Sequence, residues 1–211
     1  MEFDRVYEPF LAPTLHVQKP DWLDRLARLI SIVGSPPAVA VLGLALIANL
    51  THDATTWLWA AGYLLLVLPA PLLYVAWKVR RGEISDFDLF VRQQRIKPFL
   101  LILGSSAVAL AVIHGGQAPH LLFVLGLAIG LLILLLFVVT LWWKISVHCA
   151  AMALFAVFTI GVIGTSAWLA ALSIPIVMWS RRHLRRHTFM QTLLGSSLGV
   201  FIAFMALAFY R

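Results

Sequence analysis

Residues 121–143 read LLFVLGLAIGLLILLLFVVTLWW, an apolar run without a single charged side chain. A helix rises about 1.5 Å per residue, so this run reaches across the roughly 30 Å hydrocarbon core of a bilayer. Trp142, Trp143 and Lys144 close it as aromatic and basic residues close a span at the lipid headgroups. A helix that is apolar on every side has to be wrapped in protein or in lipid. The rest of the chain decides for lipid: 62% of its 211 residues are hydrophobic and 12% are charged, about half the charge of a soluble domain.

Working outward from that run, apolar stretches of membrane length predict further helices near 28–50, 57–77, 98–114, 147–165, 167–180 and 188–210. The expected fold class is all-α, a polytopic membrane bundle of six to seven transmembrane helices. Residues 167–180 are short for a full crossing. Pro36-Pro37 and Pro69 with Pro71 fall inside the first two stretches and predict kinks there. The single cysteine, Cys149, excludes an internal disulfide and a cysteine-only metal site, and its apolar neighbours make it a packing residue.

The formal charge of +7 raises nucleic acid and anionic lipid as partners. Position favours a different explanation, because the basic residues sit in clusters beside apolar segments. With the N-terminus in the cytoplasm, the inside segments hold Arg5, Lys19, Arg25, Lys78, Arg80, Arg81, Arg92, Arg95, Lys97, Lys144, Arg181, Arg182, Arg185 and Arg186, with Arg28 at an edge. The outside segments hold only Arg211. Such one-sidedness is what the positive-inside rule predicts, and it places the polar motifs on the cytoplasmic face of a bacterial inner membrane. No nucleic-acid role is expected. Residues 1–25 form a polar cytoplasmic segment without a signal peptide's pattern, so the first membrane helix is expected to serve as its own insertion signal, with residues 26–211 as the transmembrane domain. From Asp21 the run DWLDRLARLI is amphipathic, with Asp21 as a cap and Trp22, Leu23, Leu26 and Ile30 on one face. It is either a helix lying on the membrane surface or a polar lead-in to the first span.

All nine acidic residues precede Leu89. That excludes paired-carboxylate chemistry and a magnesium site in the last five spans, and the aspartate-rich motifs of prenyltransferases are missing. Three polar segments interrupt the apolar pattern on the same face: KVRRGEISDFDLFVRQQRIKPF at 78–99, KISVH at 144–148 and SRRHLRRHTFMQ at 180–191. The second and third lead into helices, whose free backbone N–H groups favour anions. Two helix starts, two histidines and a set of arginines describe a pocket for a phosphate-sized anion.

The third segment resembles the type-2 phosphatidic acid phosphatases of the lipid phosphatase and haloperoxidase superfamily, whose pattern is S-R-x5-H-x3-D. Ser180-Arg181 and His187 stand at that spacing, with Gly195 and Gly199 beyond. The second family element, P-S-G-H, is similar to Ile145-Ser146-Val147-His148. The first, K-x6-R-P, is matched loosely by Arg95, with Asp88 where a lysine is expected and Lys97-Pro98 as an alternative anchor. The resemblance covers about residues 78–200. It implies that His187 is the nucleophile forming a phosphohistidine, and that His148 protonates the leaving oxygen and then activates water. It also implies that Arg181, Arg95, Ser146 and Lys97 bind the phosphate, with no metal and no cofactor. Two departures stand out. Gln191 replaces the family's aspartate four residues after the nucleophile, and on a helix it still shares a face with His187. It accepts a hydrogen bond but brings no charge, so Asp88 or Asp86 is a candidate for the missing carboxylate. Val147 replaces the glycine of the second element and crowds that turn.

The expected function is hydrolysis of a membrane-held lipid phosphate or polyprenyl (di)phosphate. The alternative is a catalytically inactive relative acting as a membrane-embedded binding or assembly subunit with membrane-protein partners. Haem ligation by the histidines is disfavoured, since it needs facing imidazoles at depth and these lie at the membrane edge.

Overall fold

Asp21 opens the first helix by accepting the Trp22 amide, 2.6 Å away, and α1 runs over Trp22–Val33. The computed structural model describes residues 21–210; the expected polar segment over 1–20, with Arg5 and Lys19, and Arg211 lie outside the described residues. Pro36 then starts α2 (Pro36–Leu50) at a first-turn position, where its missing N–H has no helical partner to lose. Asp53 caps α3 (Ala54–Val67), and α4 (Pro69–Arg80) follows after Leu68 alone. A 3-10 turn at Arg92–Arg95 leads into α5 (Ile96–Gly115), and α6 covers His120–Trp142. Ser146 caps α7 (Val147–Ile163). A 3-10 stretch over Thr165–Leu172, α8 (Ser173–His183) and α9 (Phe189–Tyr210) complete the chain.

Among the described residues the structure is all-helical, without strands. Four stretches are long and apolar enough to cross a membrane: Ala54–Arg80, Arg92–Gly115, His120–Trp142 and Phe189–Tyr210. A fifth is gained if α1 and α2 count as one span, and α7 is apolar but shorter.

Two expected helices divide. The stretch 28–50 is not one kinked helix, because α1 and α2 meet at 53° across Gly34-Ser35. Tandem prolines cannot continue a helix but readily start one, so the break precedes them. Residues 167–180 are likewise not one helix. Pro175 is tolerated only near a helix start, and α8 accordingly begins at Ser173, leaving the 3-10 stretch before it. At Pro69 the helix is interrupted at Leu68 alone, and Ala54–Arg80 remains one apolar stretch of spanning length.

Leu58, Leu65, Leu73, Phe201, Phe204 and Phe209 are large apolar side chains that point outward and are exposed. The interior holds Leu122, Leu136 and Ile113 together with alanines, and Tyr63 donates its hydroxyl to the Gly126 carbonyl. Cys149 is fully buried, as a packing residue should be. In lipid the apolar effect does not press helices together, so close packing and hydrogen bonds must hold them.

The tightest packing joins α7 and α9. A Cβ on Gly195 would stand 2.6 Å from the Ser146 carbonyl oxygen, one on Gly199 2.1 Å from the Ala150 oxygen, and one on Gly161 2.2 Å from Leu207. Those partners rise together along both helices, so the two run parallel and begin at the same end. The Ser146 amide donates to the Gln191 carbonyl at 3.1 Å and ties the two starts together. At that end α8 also packs on α1: Ser180 Oγ donates to the Ala27 carbonyl at 2.6 Å, and His183 lies 2.9 Å from Asp24. Ala27 and Ser31 of α1 are buried, while Trp22 and Leu26 of its predicted apolar face are exposed.

Candidate functional site

The chain reaches the site through the turn after α8. Arg185 and Arg186 donate their amides to the carbonyls of Arg182 and Arg181, the paired bonds of a Schellman ending. That ending places Arg185 at φ +53, a left-handed conformation usually given to glycine. It swings His187 back toward the bundle, where the His187 amide also donates to the Arg181 carbonyl. Thr188 and Gln191 then form a capping box on α9. The Gln191 amide donates to Thr188 Oγ1 at 3.3 Å, and the Thr188 amide donates to Gln191 Oε1 at 3.2 Å.

That capping bond has a consequence for the imidazole. It identifies Oε1 as the acceptor oxygen of Gln191, and His187 Nδ1 lies 3.2 Å from the same atom. Nδ1 must therefore carry the proton and donate, which leaves the lone pair on Nε2. His187 is buried. Burial, then the nearby charges of Arg95, Arg181 and Lys144, push its pKa down to about 3, with the Gln191 hydrogen bond pulling weakly the other way. The ring is neutral at pH 7, the state a nucleophilic nitrogen needs. Lys144 is pushed down to about 8 by partial burial and then by Arg95, Arg186 and Arg181, a sign of how much positive charge gathers here.

His187 forms part of the wall of a cavity of about 310 Å³, which is also lined by His148, Arg95, Arg181 and Asp88. His148 is the second residue of α7 and is buried. Arg181 lies in the last turn of α8 and is 1% exposed; its Nη1 donates to Ser31 Oγ and, at 3.0 Å, to Asp88 Oδ2. Arg95 is buried too, with Nε donating to the Leu89 carbonyl at 2.8 Å and Nη1 to the Ile145 carbonyl at 3.0 Å. Its remaining nitrogen, Nη2, has no hydrogen bond to any described residue. A second, more open basin of about 890 Å³ lies on the other side of His187 and is lined by Lys144, Arg182, Arg186 and Gln191 among others.

The structure thus brings four residues predicted to act on phosphate to one place: His187, His148, Arg181 and Arg95. Two others go elsewhere. Ser146 is fully buried and its hydroxyl accepts the Cys149 amide as the α7 cap, so it holds the helix start and does not line the cavity. Lys97 is exposed on α5 and is absent from the cavity wall, where Pro98 is the nearer contributor. Asp88 enters the cavity but not behind His187: its Oδ1 is 4.0 Å from His148 Nε2. Asp86 pairs with Arg186 at 2.7 Å. Ser31 leaves no local pattern in the sequence, because its contact with Arg181 spans 150 positions. The Thr188-x-x-Gln191 box, in contrast, was open to view in the sequence.

Comparison with known proteins finds no protein-family model, no curated protein and no solved structure that matches this chain.

Proposed function

We propose that this chain is a multi-pass membrane phosphatase of the lipid phosphatase type, hydrolysing a lipid phosphate or polyprenyl (di)phosphate through a phosphohistidine. The observation that carries the reading is the meeting of His148, His187, Arg95 and Arg181 in one cavity, with His187 Nδ1 3.2 Å from Gln191 Oε1. His187 Nε2 would attack phosphorus as the bond to the lipid oxygen breaks, and His148 would give that oxygen its proton. His148 would then take a proton from water as the water attacks the phosphohistidine and releases phosphate and His187. Arg181 and Arg95 would face the equatorial oxygens, where charge spreads.

An amphiphilic substrate suits the surroundings. The cavity wall at Pro36, Leu68, Phe99, Ile102 and Val147 also belongs to an apolar crevice between α2, α3, α5, α6 and α7. Six to seven crossings fit the packing. Parallel α7 and α9 begin at one end, so residues 165–183 must return over the same depth. At about 2.0 Å per 3-10 residue and about 1.5 Å per α-helical residue they extend roughly 30 Å. The charge distribution supports a cytoplasmic cavity in a bacterial inner membrane.

The alternative, an inactive binding or assembly subunit, is favoured by Gln191, which supplies no charge behind His187. Phosphate release from short-chain phosphatidate and polyprenyl diphosphate by the purified protein decides between them. The enzyme reading expects turnover that falls by at least about a hundredfold in His187→Ala and in His148→Ala. Equal release from all three proteins, or none from any, would remove it.

A further inference from the structure

Arg181 is the largest fully buried side chain among the described residues, yet its Nε has no hydrogen-bond partner among them. Its Nη1 meets Asp88 Oδ2 at 3.0 Å, and Arg186 Nε lies 3.7 Å from the same oxygen. The other oxygen of Asp88 faces His148 Nε2 at 4.0 Å. Two guanidinium groups and an imidazole from α7, α8 and the following turn therefore converge on one carboxylate. That is the arrangement of donors a tetrahedral oxyanion would take, and it stands in the cavity where the proposed reaction needs the phosphate.

We propose that Asp88 is a built-in occupant of the oxyanion seat, a competitor that an incoming phosphate must displace, carried in and out by the loop at residues 83–91. The proposal rests on reading the cavity as an oxyanion site, but not on hydrolysis. A buried guanidinium without a counter-charge is unfavourable, so an empty seat has reason to draw in the chain's own carboxylate. Asp88 holds a loop position reachable from solvent, with its side chain 31% exposed. Asp86, on the same loop, pairs with Arg186 and not with Arg181, so its removal loosens the loop without vacating the seat. Phosphate brings more charge and more acceptor oxygens than a carboxylate and can replace it, while the tethered carboxylate has the advantage of proximity.

An apparent affinity falls by the fraction of molecules whose site is open. With the seat free about a tenth of the time, neutralising the competitor tightens phosphate about tenfold. The experiment is calorimetric titration of inorganic phosphate into the purified full chain in detergent. Asp88→Asn is expected to bind about tenfold more tightly than the wild type, Asp88→Glu no more tightly, and Asp86→Asn within about threefold of the wild type. Asp88→Ser makes the same charge change should the asparagine variant not fold. Adding Arg181→Gln to Asp88→Asn should abolish the gain, placing the anion at this seat. Unchanged or weaker binding in Asp88→Asn and Asp88→Ser overturns the proposal, and so does absence of phosphate binding in every protein. A protein without turnover whose Asp88→Asn variant still binds phosphate more tightly would refute the enzyme and keep the competitor; the reverse result would do the opposite.

Discussion

At residue scale, Gln191 does two jobs with one oxygen, closing the capping box of α9 and holding the Nδ1 proton of His187. A carboxylate there would add charge to geometry. Asp in place of Gln191 is expected to raise turnover by about tenfold to a hundredfold and to lift the His187 pKa from about 3 toward 6. Histidine NMR titration reads the second effect. The same change has a stability counterpart whose sign follows from linkage. His187 binds its proton less well folded than unfolded, so its contribution is fully present above pH 6.5 and is lost as pH falls toward 3, at about 1.4 kcal/mol per unit. Acid unfolding should show that window in the wild type and a narrower one in Gln191→Asp. A flat turnover with an unmoved His187 would mean that the two side chains do not pair. His148, His187, Arg181 and Arg95 stand out in the sequence by residue type and spacing, and they meet in one cavity wall. Ser146 and Lys97 do not join that wall, since a motif does not distinguish a hydroxyl spent on a helix cap from one aimed at a ligand, nor a lysine facing outward from one facing in.

At the scale of elements, the site depends on α7 and α9 starting side by side, and Gly195 and Gly199 permit that approach. Gly199→Ala forces a Cβ against the Ala150 backbone oxygen, which cannot rotate away as a side chain would. The expected cost is about 1–3 kcal/mol, measured as the shift in unfolding by sodium dodecyl sulfate, with a parallel loss of activity. Gly62, inside α3, has open space where its Cβ would be, and Gly62→Ala should be neutral or stabilising by up to about 1 kcal/mol. Equal effects at both positions would contradict a packing role for Gly199. Helix positions were readable from apolar runs to within a few residues, whereas two divisions were not. Proline signals a break, but whether the pieces still make one span, as α3 and α4 do, or turn by 53°, as α1 and α2 do, is set by what each piece packs against.

At the scale of the molecule, α5, α7 and α9 begin at one end of the bundle, and the three polar segments seen in the sequence precede them. The sequence shows this through its charge: basic clusters recur at alternate junctions, and acidic residues stop at Asp88. It does not show which of these charges touch one another, since Arg92 is spent on the α6 carbonyls while Arg95, three residues later, lines the cavity. The central claim is that this end of the bundle passes a phosphoryl group through His187, and trapping that intermediate tests it most directly. Purified wild-type protein is mixed with phosphate-labelled polyprenyl phosphate, quenched rapidly in alkali, where phosphohistidine survives, and mapped by mass spectrometry. The account predicts label on His187 in the wild type, less of it in His148→Ala, and none when His187 is replaced by alanine. Turnover by the wild type with no label on His187, or label that persists without His187, would contradict it.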